Sequence, residues 1–124
     1  MTKDELKERL TKFALRIIAL VDKMPNTIAG NAIAKQIIRS GTSPSANYRA
    51  ACLGKSDKDF INKLKMVEEE LDETCHWIEL IIRSEMVKPN LLKDLYNEGI
   101  ELSRIITKTI ISTKVRLDSD KMSK

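Results

Sequence analysis

The sequence predicts an all-α fold, an antiparallel up-down-up-down four-helix bundle, and three observations carry that expectation. Four segments repeat apolar residues at steps of three and four, the spacing that gathers them on one face of a helix. Only four Gly and three Pro occur in 124 residues, too few to punctuate a sandwich or barrel, which turns every ~8–12 residues. The connections are short, and short loops force neighbouring helices to run antiparallel. A chain of this length builds one core. Aromatics are only 4% of it, so Ile, Leu, Val, Met and Ala must fill that core. The expected organisation is a single domain over residues 1–118 and a frayed basic tail over 119–124.

Segment 2–24 opens with Thr2 and, three residues on, Glu5, the spacing of a capping box. Leu6, Leu10, Phe13, Ile17, Leu20 and Met24 form its stripe, which Ala14, Ile18 and Val21 widen. Lys7, Arg9, Lys12, Arg16 and Lys23 lie off it. Pro25 ends the helix, because a residue before Pro avoids the α region.

Segment 27–53 starts at an Asn26/Thr27 cap and carries Ile28, Ala32, Ile33, Ile37 and Ile38. It then meets Ser40-Gly41-Thr42-Ser43-Pro44-Ser45, which taken alone reads as a loop. One long helix kinked at Pro44 is the alternative, with small residues admitting a close neighbour and hydroxyls serving freed carbonyls. The residues by themselves lean slightly toward a break.

Gly54-Lys55-Ser56-Asp57 is the clearest stop and restart, with Gly suited to a helix C-terminus and Ser56–Asp59 to a new cap. The third helix then buries Phe60, Leu64, Val67, Leu71, Thr74/Cys75, Ile78 and Ile81/Ile82, and Val87-Lys88-Pro89-Asn90 terminates it. The fourth runs from about Asn90, with Leu92, Leu95, Leu102, Ile106 and Ile110 inward and Ile105, Ile111 and Val115 widening the stripe.

Composition narrows the function. No run of about 18 uncharged apolar residues offers a membrane span. Met1 to Glu5 is charged at once, unlike a signal peptide, so the expected location is the cytoplasm. Cys52 and Cys75 stand far apart, with no second ligand at metal spacing, and read as reduced thiols. Glu73-Thr74-Cys75-His76 has the Glu-x-x-His spacing of a di-iron bundle, but only once, and the single His leaves none to repeat it. No phosphate loop or nucleophile elbow occurs. Neither metal, cofactor nor enzymatic activity is expected.

The net charge of +4 is unevenly spread. Residues 27–55 hold Lys35, Arg39, Arg49 and Lys55 and no acid, residues 56–101 hold twelve acids against six bases, and the remainder is basic again. Such asymmetry suits subunit pairing or a polyanion, with a merely solvated helical surface as the plain alternative. Ser43, Asn47 and Arg49 fall among small residues on the second helix. If buried they need partners, and Glu70 or Glu73 on the third helix are the candidates for a polar lock that fixes register. His76 reads as a surface or interface residue. Trp77 and Tyr48 read as core or interface anchors rather than stacking platforms.

The run Gln36-Ile37-Ile38-Arg39-Ser40-Gly41-Thr42-Ser43-Pro44-Ser45-Ala46-Asn47-Tyr48-Arg49-Ala50-Ala51 resembles the signature of the bacterial four-helix bundle proteins encoded in intervening sequences of 23S ribosomal RNA genes. A second block agrees, with Asp59-Phe60-Ile61 and Lys63-Leu64 followed by Glu70, Asp72-Glu73-Thr74 and Trp77-Ile78-Glu79-Leu80. The two cover roughly the middle third of the chain. One departure is Ala50, where that family commonly has an acid. The resemblance implies a second helix that runs on through Pro44, and self-association, since relatives form ring-like homopentamers. The similar accessory protein of diversity-generating retroelements implies a basic pentamer that binds nucleic acid and a reverse transcriptase. The intervening-sequence branch offers no settled activity.

Two functions remain open from the sequence. In the first, a homo-oligomeric accessory protein, a pentamer by resemblance, binds RNA or DNA through phosphate contacts. Its candidate contacts are Lys35, Arg39, Arg49 and Lys55, with Arg104, Lys108, Lys114 and Arg116 as a second set, and Arg39 and Arg49 are the first pair to replace. In the second, an oligomeric scaffold binds only its own subunits or another protein, its acidic third helix meeting a neighbour's basic helices.

Overall fold

The computed structural model describes residues 1–122, and its long elements are four α-helices: α1 Lys3–Val21, α2 Ile28–Cys52, α3 Asp57–Ser84 and α4 Lys93–Met122. A single turn of 3-10 helix, Pro89–Leu91, leads into α4. Packing is most extensive between α2 and α3, then between α1 and α2 and between α3 and α4, while α1 and α4 touch only briefly. The fold class is the one the periodicity predicts.

The starts of the helices follow local chemistry. Thr2 and Glu5 form a reciprocal capping box, each side chain bonding the other's backbone N–H at 3.1 Å. The Thr27 hydroxyl accepts from Gly30 N–H at 3.0 Å, and that of Ser56 from Asp59 N–H at 3.1 Å. The core is the shared interior of the stripes, with Leu10, Ile17, Ile37, Leu71, Ile78 and Ile106 fully buried.

Three features correct or complete the sequence reading. First, α2 is unbroken through Pro44, so the lean toward a loop at 40–45 does not hold. Proline removes one N–H and crowds the carbonyl four residues back, that of Ser40. The surrounding hydroxyls bond within the helix, Thr42 to the Ile38 carbonyl at 2.6 Å and Ser45 to that of Thr42 at 2.9 Å. Gly41 supplies the packing reason. A Cβ there would lie 2.7 Å from Ile17 Cγ1, so its absence lets α2 close on α1. The Ser40-to-Ser45 run is a close-approach face and not a loop.

Second, several apolar residues assigned inward face outward. Ile18, Ile111 and Val115 are 45%, 55% and 62% exposed, and Ile28, the first residue of α2, is 93% exposed. Leu95, Gly99, Leu102, Ile106, Ile110 and Thr113 supply the buried line of α4. Ile111 stands about 100° round from Ile110 at ~3.6 residues per turn, off that line. Third, α4 continues through Met122, past Ser119 where the frayed tail was expected to start. Half-buried Leu117, packed against the core, carries it beyond the bundle proper. Residues 123–124 of that expected tail lie outside the described residues.

Candidate nucleic-acid interface

The unequal lengths of α1 and α4 leave a hollow at one end of the bundle. α1 has 19 residues and α4 has 30, so at about 1.5 Å per residue they measure roughly 28 and 45 Å. The two helices are tied part-way along. The Arg9 guanidinium donates to both oxygens of Glu98, at 3.1 and 2.6 Å, and this bond raises the arginine's already high pKa. Beside it Gly99 lets α4 press close: a Cβ there would sit 2.8 Å from Cys75 Sγ and 3.3 Å from Phe13 Cζ. Beyond this tie α1 reaches only to Lys3, its first residue, while α4 goes on, leaving a groove of about 760 Å³.

In an up-down bundle the start of α1, the end of α2, the start of α3 and the end of α4 meet at one end. The groove is built from all four. Lys3 and Leu6 come from α1, Tyr48, Cys52 and Lys55 from the end of α2 and its turn, Asp57 and Phe60 from α3, and Ile105, Lys108, Ser112 and Arg116 from α4. Leu6 and Phe60 are buried beneath it, and the Lys3 ammonium lies 4.9 Å from the centre of the Phe60 ring, within cation–π range.

Charge there is one-sided. Four cations, Lys3, Lys55, Lys108 and Arg116, line the groove with one acid, Asp57. Arg116 holds Asp57 at 2.9 Å, while among the described residues Lys3, Lys55 and Lys108 have no carboxylate partner. The positive ends of α1 and α3 open on the same space, offset in part by the C-terminus of α2. Burial pushes the Tyr48 phenol upward, with neighbouring Cys52 adding to it, so this hydroxyl stays neutral.

Of the eight predicted contact residues, the structure thus gathers Lys55, Lys108 and Arg116. Lys35, Arg49, Arg104 and Lys114 are exposed elsewhere on α2 and α4, without a carboxylate partner among the described residues. Lys3 was missed by the sequence reading. Pairing the helix ends of an up-down bundle would have found it.

Arg39 has a different place. Its Nη1 donates to Glu70 at 2.9 Å and its Nη2 to Glu73, while Gln36 lies 3.4 Å from Nη2. Trp77 Nε1 donates to the same Glu73 oxygen at 2.9 Å. The polar lock with Glu70 and Glu73 therefore exists, but Arg39 makes it, and not Arg49, Ser43 or Asn47. Ten residues on, Arg49 is turned about 80° round the helix and carried about 15 Å along it. Asn47 instead donates to Ser43 at 2.8 Å within α2. Deeper in the same seam the Ser40 and Thr74 hydroxyls bond at 2.8 Å, both fully buried. Thr74 gives its own proton to the Glu70 carbonyl at 2.7 Å, which leaves Ser40 as donor in the pair. Tyr48 is buried and Trp77 half-buried against the core, as anchors should be, and His76 is exposed beside Trp77.

Among the described residues, no His, Cys, Asp and Glu side chains form a group of three that could hold a metal ion, and no helix is long and apolar enough to cross a membrane. Cys52 and Cys75 are free thiols, and burial pushes that of Cys75 up to about 11.

A family model described as 23S rRNA-intervening sequence protein matches residues 3–108. Among solved structures, the chain is similar to a protein of unknown function from the S23 ribosomal protein family of Bacteroides thetaiotaomicron VPI-5482. Identity is 36% and the TM-score 0.79, over 85% of this chain and 97% of that one. No curated protein matches the chain. With a match that spans most of the bundle, and the Gln36–Ala51 run inside it, this chain belongs to the 23S rRNA-intervening sequence protein family.

Proposed function

We propose that this protein is a non-enzymatic, homo-oligomeric accessory protein that binds RNA or DNA through phosphate contacts, without reading sequence. The observation that carries the reading is the end groove, where Arg116 and three lysines without a carboxylate partner among the described residues face one acid. Phosphates are met by such positive charge at close range, and affinity then comes with released counterions. Self-association is supported by one face of α4. Ile111, Val115 and Met122 fall within about 20° of one line along that helix, and all are exposed. A ring of five subunits, which the family resemblance implies, would repeat the basic groove around its circumference.

Titration of labelled RNA and DNA at about 50 and 200 mM salt tests the reading. Four phosphate contacts per subunit predict a loss of roughly 50-fold for a single strand and roughly 150-fold for a duplex across that range. The second reading is a scaffold that binds only protein, and the same outward apolar row on α4 favours it. Self-assembly with no measurable nucleic-acid binding at about 50 mM salt would establish that alternative.

A further inference from the structure

The groove differs from the flat basic surface that suffices for duplex nucleic acid. It is concave, with a volume near 760 Å³, within the ~300–1,000 Å³ range of pockets that enclose a small organic ligand. Its cations come from three different directions: Lys3 on α1, Lys55 beyond α2, and Lys108 with Arg116 on α4. Between them lie apolar groups, Leu6, Phe60 and Ile105, and the hydroxyls of Thr109 and Ser112.

A bare phosphate would use the cations and leave the apolar floor idle. A duplex presents a convex ridge of phosphates and keeps its bases stacked inside, so it reaches the rim alone. A nucleotide in an unpaired strand has both parts the groove can use, an anionic phosphate and a planar base with an apolar face. We propose that the end groove seats one base of a single strand over the Leu6–Phe60–Ile105 floor, with successive phosphates of that strand at Lys3, Lys55 and Lys108, so that unpaired nucleic acid is preferred to duplex. The inference rests on the nucleic-acid reading above and adds the form of the partner and the place where it seats.

Two exposed positions on α4 separate charge from shape. Lys108→Glu reverses charge at the groove. Ser112→Phe fills it without changing charge, at a residue that is exposed and outside the core. Lys114→Glu, on the same helix but outside the groove, is the control for net charge. The experiment measures anisotropy of a fluorescein-labelled 12-nucleotide oligouridylate and of a 12-base-pair duplex, with the full chain, at about 100 mM salt. Melting temperature checks each variant's fold.

The wild type is expected to bind the single strand at least ten-fold tighter than the duplex. Ser112→Phe is expected to weaken the single strand at least ten-fold and the duplex less than two-fold. Lys108→Glu should weaken both, and more than Lys114→Glu does. Equal affinity for the two nucleic acids, or unchanged single-strand binding in folded Ser112→Phe, overturns the groove while leaving general nucleic-acid binding intact. Binding of neither at about 50 mM salt overturns the underlying reading as well.

Discussion

At the waist of the bundle Arg39 spends its guanidinium on Glu70 and Glu73. At the end of the bundle Lys3, Lys55 and Lys108 surround a hollow with no carboxylate partner among the described residues. Both regions are basic in the sequence, and α2 contributes to each. Partnership separates them. A guanidinium held by two carboxylates of the same chain is largely neutralised toward outside ligands, whereas an unpaired ammonium keeps its field. The waist therefore fixes the register of α2 on α3, and the end keeps the free positive field on which the proposed nucleic-acid binding rests.

That contrast can be broken by mutation, and the largest effect is expected at the end. Reversing Lys55 and Lys108 together should lower affinity for a single-stranded oligonucleotide by about 100-fold at roughly 100 mM salt. Both side chains are exposed, so thermal unfolding should move by no more than a degree or two. A large drop in melting temperature would show that the end is structural as well.

Packing at the waist is expected to behave in the opposite way. Gly41→Val forces at least one carbon into Ile17 and should cost about 1–3 kcal/mol by urea unfolding. Affinity per folded molecule should stay within two-fold of wild type. Arg39→Ala is the milder version. Its side chain is 49% exposed, so losing the ion pairs should cost only ~1 kcal/mol, again with little change in binding.

The smallest effect concerns pH. Cys75 is held neutral by burial, its pKa raised to about 11 from 9.0, and the Tyr48 phenol is raised from 10.0 for the same reason. In the unfolded chain both would ionise earlier. High pH therefore draws the equilibrium toward unfolding: stability should be unaffected by these groups below pH 9 and fall as pH rises from 9 through about 11. Urea unfolding at successive pH values checks this, and a flat profile above pH 9 would contradict it.

Much of this architecture was legible in the sequence because it rests on local rules. The Thr2–Glu5 box, the Ser56 cap and the stripes of α1 and α3 follow from spacing alone. Pro44 was not legible locally, since a proline among Ser, Gly and Thr carries the same composition as a loop. What decides it is Gly41 lying against Ile17 on another helix, a contact between residues 24 positions apart in the chain. Arg39 and Arg49 look interchangeable in a list of charges. They separate once the turn of α2 places one beside Glu70 and Glu73 and the other in solvent. Lys3 was overlooked because it lies far in sequence from the other groove residues. Ile111 and Val115 were assigned inward because a stripe of three-and-four steps can be drawn wider than the core that receives it.

The proposed function places the meeting with nucleic acid at the positively charged end of the bundle, and not at the waist. Its most direct test is the slope of log affinity against log salt concentration for single-stranded RNA. Three proteins are compared: wild type, Arg39→Ala, and Lys55→Ala with Lys108→Ala. Each lost phosphate contact should reduce the slope by about 0.7. The groove pair should therefore flatten it by roughly 1.4, and Arg39→Ala should leave it as in wild type. A slope that flattens in Arg39→Ala and holds in the groove pair would contradict the account and return the interface to the waist.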